Sequence, residues 1–140
     1  MKIVIATPEK IVFEEDAYGV LVPTLEGEVG IYDNHVPYMS SLQAGVVGVK
    51  KQKTDKEWQY LAVSNGLIEF SNNELTLLVE TAEREDEIDL DLANQARQRA
   101  IELRKQKDLI STQESALLTA KLEKELARIR VAEKYRKRRV

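Results

Sequence analysis

Glycine and proline divide this chain. All six glycines (19, 27, 30, 45, 48 and 66) and all three prolines (8, 23 and 37) lie within the first 66 of its 140 residues. Glycine supplies unusual backbone angles and proline removes a donor, so both mark turns and interrupt helices. The first half therefore reads as short segments between turns. KIVIAT, KIVFEE, YGVLVPT, GVVGVKK, EWQYLAV, LIEFS and ELTLLVE are rich in valine, isoleucine, leucine and aromatics. Leu75, Leu77 and Val79 alternate with Thr76 and Leu78, the period of a strand. Thr7–Lys10, Glu26-Gly27, Thr54–Lys56, Asn65-Gly66 and Asn72-Asn73 supply turns. Strands recurring about every ten residues predict a small antiparallel sandwich or barrel.

Residues 88–140 contain neither glycine nor proline. Ile88, Leu92, Ala96, Ala100 and Leu103 recur at helical spacing, as do Leu118, Leu122, Leu126 and Ile129. Asp86 is the expected cap of the first helix. Ser111-Thr-Gln-Glu114 has the form of a capping box for the second. The two stripes predict a helical hairpin folded on the strands, with Leu92, Ala96 and Leu103 facing Leu118, Leu122 and Ile129. Gln106, Lys107 and Asp108 can also continue a helix, so the same 53 residues permit a rod of ~80 Å.

Charge follows the same division. Residues 1–87 hold 7 Lys/Arg against 16 Asp/Glu, and residues 121–140 hold 9 against 3. An acidic body with a basic end offers two different binding surfaces. The chain has no cysteine and one histidine, His35. That excludes disulfides, thiolate metal sites and a multi-histidine metal site. No apolar run has the length of a membrane span, and the N-terminus lacks the form of a secretory signal. The composition reads as intracellular, with any membrane association running through a partner.

The stretch GEVGIYDNHVPYMSSLQAG, residues 27–45, concentrates glycines, carboxylates and His35. Its glycines do not fit a phosphate-binding loop, and no helix pattern follows them. His35 has Asp33 nearby but no nucleophile motif, so it reads as structural or solvated. At the basic end, Arg128, Arg130, Lys134, Arg136, Lys137, Arg138 and Arg139 admit three readings. They are a solvated helix end suited to the carbonyl dipole, a nucleic-acid contact, or a contact for an acidic protein. Only Tyr135 is aromatic there, and no groove-reading motif accompanies it.

The order of VPTLEGEVGIYDNHVP, LQAGVVGV and YLAVSNGLIEFSNNELTLLVETAEREDEID, followed by charged helices, resembles the epsilon subunit of F-type ATP synthases, the counterpart of the mitochondrial delta subunit. The likeness covers essentially the whole chain. Its most specific part is GE-x-GI-x-x-x-H-x-P from Gly27 to Pro37. Where the family often has two glycines, this chain has Asn65-Gly66, and an asparagine is expected to take the same turn conformation. The resemblance implies a two-part α+β fold. An antiparallel β-sandwich of about ten strands occupies residues 1–86, and an antiparallel α-helical hairpin that can extend occupies residues 87–140.

It also implies a non-catalytic rotor subunit of the central stalk, coupling ion flow through the c ring to ATP synthesis. Glu26, Gly27 and Glu28 are the expected c-ring contact, with Glu28 at the tip of a Gly27–Gly30 turn. Val36, Pro37, Tyr38, Met39 and Leu42 are the expected contact with the gamma subunit. Raised helices would meet the alpha and beta subunits and restrain ATP hydrolysis through Arg128, Arg130, Lys134 and Arg136. Some bacterial relatives bind ATP on the folded hairpin. Glu83, Ile88, Asp89, Ala93 and Arg99 match positions used there. Leu92 replaces an arginine, and Leu122 and Leu126 stand where relatives place cations, so no cofactor is expected. The implied location is the cytoplasmic face of a bacterial plasma membrane, peripheral and held through the complex, with no nucleic acid bound. A different reading of the residues is a free-standing sandwich adaptor whose basic arm binds an acidic protein or nucleic acid.

Overall fold

The computed structural model describes residues 1–105 and 112–139, with side chains as far as Lys137. The capping box resting on Ser111, the expected hairpin turn and the side chains of Arg138 and Arg139 lie outside the described residues. Ten strands come first: β1 (Lys2–Ala6), β2 (Ile11–Asp16), β3 (Gly19–Thr24), β4 (Gly27–Tyr32), β5 (Tyr38–Leu42), β6 (Gly45–Lys50), β7 (Gln59–Val63), β8 (Gly66–Ser71), β9 (Glu74–Val79) and β10 (Ala82–Arg84). Two helices follow, α1 (Leu90–Lys105) and α2 (Thr112–Arg139).

All seven expected strand segments are strands. The stretch read as an interaction loop is different: residues 27–32 and 38–42 form β4 and β5, and their glycines and polar residues hid the pattern. The strands run in the order β10-β7-β6-β3-β5-β8-β9-β1-β2, with β4 paired to β3. Pairing is antiparallel except between β1 and β9, which are parallel. The sheet folds over on itself, because one apolar cluster draws from β1 through β9: Ile3, Ile5, Phe13, Val20, Ile31, Val47, Leu61, Ile68, Phe70, Leu75 and Leu77 are all buried in it. At the closure Arg84 of β10 lies over the Phe13 ring of β2, 5.0 Å from its centroid.

Two turns show why particular residues stand where they do. Gly27 has φ of +119°, a conformation that favours glycine. A Cβ on Gly66 would lie 2.0 Å from the Leu78 carbonyl oxygen, so β8 and β9 approach as closely as they do because that position is bare. Asn65 does not need the left-handed conformation; among the described residues, Asn34, Asn72 and Asn73 are the non-glycine residues there. The Asn65 side chain instead accepts the Ala44 amide at 2.8 Å.

Strands β6 and β7 are apolar on both faces. Val47, Val49, Leu61 and Val63 enter the sandwich core. On the outer face, Val46, Tyr60 and Ala62 meet Ala127 and Val131 of α2, joined by Ile88. Helix α2 thus packs on β6 and β7, and α1 packs on α2. This seat is thin. Burying a valine side chain is worth roughly 1.5–3 kcal/mol and an alanine methyl less, against the many large side chains of the sandwich.

The helical register differs from the expected stripes. Leu92 and Leu103 are exposed, and the buried residues of α1 are Ala100, a member of the expected stripe, and Ala93, which is not. Small side chains allow close helix contact, so the alanines won the interface. On α2, Ile129 is buried as expected, Leu118, Leu122 and Leu126 are half-buried, and Ala127 and Val131 take the sheet-facing positions. The cap also differs. Asp89, not Asp86, caps α1: its Oδ1 accepts the amides of Asp91 and Leu92 at 3.0 and 3.1 Å. Ile88 precedes that cap and is drawn down onto the sheet, which delays the helix start to Leu90.

Candidate docking surfaces

The sandwich has two outer faces with different fates. One, at β6 and β7, lies beneath α2. The other carries a row of exposed apolar side chains: Met39 on β5, Leu67 on β8, Leu78 on β9 and Ile11 on β2, between 49% and 74% exposed. The register aligns them. Leu67 pairs with Leu78, Leu78 with Ala6 of β1, and Ala6 with Ile11. Met39 lies two residues from Ser41, the partner of Leu67, and so shares its face. Ala6, Thr7 and Pro8 wall a shallow groove beside Leu67 and Leu78. Of the expected gamma-contact residues, Val36, Pro37 and Met39 are exposed and Tyr38 is half-buried against the core. Leu42 is a correction. It is 2% exposed and belongs to the core, because it alternates inward with Ser40 at the end of β5. Leu67, Leu78 and Ile11 were missed, although Leu78 already broke the polar side of its alternation.

His35 lies just before β5, on the side of the inward-facing Phe70 and Tyr38. Its ring packs edge-on against Phe70 and Tyr38, with centroids at 5.7 and 6.1 Å, and Nδ1 donates to the Val36 carbonyl at 2.7 Å. These contacts are structural, as expected. The preceding turn is tied to the β8–β9 turn. The Asn34 amide donates to Asn73 Oδ1 and Asn73 Nδ2 donates to Asp33 Oδ1, at 2.8 and 2.9 Å. Hydrogen bonds from the Met1 ammonium and from Asn73 hold the Asp33 carboxyl below the usual carboxylate range.

The second surface is the β3–β4 hairpin tip. The two turn residues are Leu25 and Glu26, with Thr24 paired to Gly27. Glu28 is not at the tip of a Gly27–Gly30 turn: it lies within β4, opposite Pro23. The turn is tighter because Thr24, 4% exposed, closes it with its side chain. Its hydroxyl donates to the Gly27 carbonyl at 2.7 Å and accepts the Glu26 amide at 3.2 Å. Glu26, Gly27 and Glu28 are all exposed, as is Leu25. Glu28 also borders a groove whose other wall carries Arg130 and Lys134 of α2.

The third surface is the outer side of the helices. Arg130 and Arg136 are exposed, and Lys134 Nζ stands 4.3 Å from the centroid of the Tyr60 ring. Arg128 is not part of a free basic face. It contacts Glu83 and Glu125 at 2.9 and 2.8 Å, because position 128 faces β10 rather than solvent. The nucleotide candidates are likewise occupied in other ways. Glu83 meets Arg128, Asp89 caps α1, Ala93 is fully buried, and Arg99 is exposed. Leu92, 55% exposed, offers no donor. Among the described residues no cluster of three or more His, Cys, Asp or Glu has a metal-binding arrangement, and no helix is long and apolar enough to cross a membrane.

Residues 1–85 match the family model of the ATP synthase delta/epsilon chain β-sandwich domain. The ATP synthase epsilon chain of Lactiplantibacillus plantarum is 41% identical over 96 residues, 69% of this chain and 68% of that one. The epsilon chain of Moorella thermoacetica is 40% identical over 96 residues, 69% of this chain and 70% of that one. A chain in the cryo-EM structure of the Euglena gracilis mitochondrial ATP synthase has the same fold, with a TM-score of 0.71 at 17% identity over 86% of this chain and 74% of that one. By the residues that it shares with these relatives, the chain belongs to the delta/epsilon family of ATP synthase subunits, among its epsilon chains.

Proposed function

We propose that the chain is a non-catalytic rotor subunit of the central stalk, which links the c ring and the gamma subunit and restrains ATP hydrolysis through its helices. Family membership supports the subunit role. The observation that carries the docking model is the row Met39, Leu67, Leu78 and Ile11, which leaves one outer face of the sandwich bare while the other is covered by α2. A contiguous apolar face of this kind suits a permanent protein partner, and the gamma subunit is the partner proposed. The matched Euglena chain comes from an assembly described as containing a c-ring, and a Tetrahymena thermophila chain of TM-score 0.52 comes from a central stalk and c-ring. The β3–β4 tip is the proposed c-ring foot. Leu25, Glu26 and Glu28 are exposed there, and the carboxylates suit a basic partner loop. The complex would hold the chain peripherally on an energy-transducing membrane, the bacterial cytoplasmic face in our reading.

Raised helices are proposed to meet the alpha and beta subunits. Two features support this. The helices rest on a thin seat of Ala127 and Val131, and Arg130 and Arg136 are exposed while Lys134 lies over the Tyr60 ring. ATP is not a ligand in this reading. The positions that would hold a triphosphate offer Leu92, Leu122 and Leu126 in place of cations, and each lost charge-assisted bond costs about 1.5–3 kcal/mol.

Four outcomes are expected. Met39→Asp with Leu67→Asp should leave the isolated sandwich folded, since both side chains are exposed, but abolish co-purification with gamma; full recovery of the complex would rule this face out. Glu28→Lys should lower ion pumping per ATP hydrolysed, measured in inverted vesicles, and unchanged coupling would remove Glu28 from the foot. Calorimetry should detect no ATP binding by the isolated chain at millimolar nucleotide; binding that Arg99→Ala removes would show that the leucines are tolerated. Deleting residues 111–140 should raise ATPase activity of the complex after trapped magnesium–ADP is cleared. Reversing the charges of Arg130, Lys134 and Arg136 should give part of that increase, and activity unchanged from the parent in both variants would exclude an inhibitory arm.

A further inference from the structure

An ion cluster bridges the two parts of the chain. Arg128 of α2 places Nε 2.9 Å from Glu83 Oε1 of β10, and Nη1 2.8 Å from Glu125 Oε2 of its own helix. The two contacts differ in kind. Nη1 donates a directed hydrogen bond to Glu125. Nε is buried and makes no hydrogen bond, so its contact with Glu83 is ionic proximity without a donated proton. The side chains are 17%, 28% and 6% exposed for Arg128, Glu83 and Glu125, so the cluster is only partly shielded from solvent.

Its position explains what it can control. Glu83 is the register partner of Ala62, and Ala62 lies in the apolar seat under α2 with Ala127 and Val131. The ion pair therefore borders a seat whose buried side chains are small, Ala62, Ala127 and Val131. A cross-element ion pair in a partly desolvated site adds less than such a seat, yet enough to shift its opening by up to about fivefold. The arrangement also lowers the cost of opening. If α2 leaves the sheet, Glu83 stays behind and regains water. Arg128 leaves with Glu125 still bonded to it, three residues away on the same helix. No charge is stranded, unlike the usual breaking of a shielded pair.

We infer that Glu83, Arg128 and Glu125 form a salt-sensitive latch that sets how often α2 leaves the sheet. Glu83–Arg128 is the contact that opens, and Arg128–Glu125 is the one that persists. This rests on the reading that the helices can leave the sandwich. The latch needs no ligand. It makes the resting position of the helices depend modestly on ionic strength, because the contact that breaks is only partly exposed and so only partly screened by salt.

The chain has no cysteine, so a single introduced thiol reports opening. Ala127→Cys places it in the seat, Ala62→Cys is a second reporter on the sheet side, and Val47→Cys reports unfolding of the sandwich core. In the full chain, both seat reporters should label faster than the core reporter. Adding Glu83→Gln should raise seat labelling roughly two- to fivefold at low salt and leave core labelling unchanged. High salt should accelerate seat labelling in the parent chain and have little effect in Glu83→Gln. Glu125→Gln should keep the salt dependence. If the seat reporters label no faster than the core reporter, the helices do not leave the sheet on their own, and the release reading fails together with the latch. If they label faster but respond neither to Glu83→Gln nor to salt, release stands and the latch is overturned.

Discussion

The structure depends on two strands that are apolar on both sides. Most strands of this sandwich bury one face, and their outward residues are free to be polar. Strands β6 and β7 instead send Val47, Val49, Leu61 and Val63 inward and Val46, Tyr60 and Ala62 outward. That second face has to be covered, and α2 covers it. Attachment of the helices is thus written into the strands as much as into the helices. The side chains involved set a clear order of strength. The interior uses Phe70, Ile3, Ile5 and Leu77, all buried, while the helical layer relies mainly on alanines, with Val131 and Ile129. Overpacking would be a sharp cost in the first layer and a small adjustment in the second.

Much of the strand half was legible in the sequence, because period-two alternation and glycine turns act locally. What was hidden follows from the same principle. Residues 27–32 and 38–42 are strands whose polar and glycine content obscures alternation, and they are held by pairing with β3 and β8 rather than by their own propensity. Leu42 looked like a surface residue next to Met39, but one residue of alternation separates outside from inside. In α1 the leucines of the expected stripe, Leu92 and Leu103, face solvent, while in α2 the expected stripe is half-buried with Ile129 inside. Leucine is the stronger apolar signal, yet Ala93 and Ala100 form the contact, since close approach of two helices rewards small side chains. Nothing in a single helix reveals which face meets another helix and which meets solvent.

The docking surfaces were legible only in part. The acidic tip was evident from Glu26 and Glu28, but its shape was not, because the Thr24 hydroxyl that closes it acts through backbone atoms. The apolar face is assembled from β5, β8, β9 and β2, and register across four strands cannot be read from any one of them. Arg128 is the sharpest case. It belongs to a run of cations that looks uniform in sequence. One faces Glu83, Lys134 lies over Tyr60, and Arg130 and Arg136 face solvent. Helical phase relative to the sheet gave four similar residues three different surroundings.

The parallel pairing of β1 with β9 has a consequence for synthesis of the chain. Lys2–Ala6 is hydrogen-bonded on one side to β2, close in sequence, and on the other to Glu74–Leu78. A chain emerging from the ribosome can form the β1–β2 hairpin once Asp16 is made, but its other edge stays open until Leu78, about sixty residues later. The exposed edge is short, and it carries Lys2, a charge that discourages pairing with another molecule. Closure of such a distant pair is slow relative to local structure. Residues 88 onward are made after β9, so the sandwich can close before α2 is complete. The helices then arrive at a finished surface, which is why the order of the chain itself favours a layer that docks rather than one that nucleates.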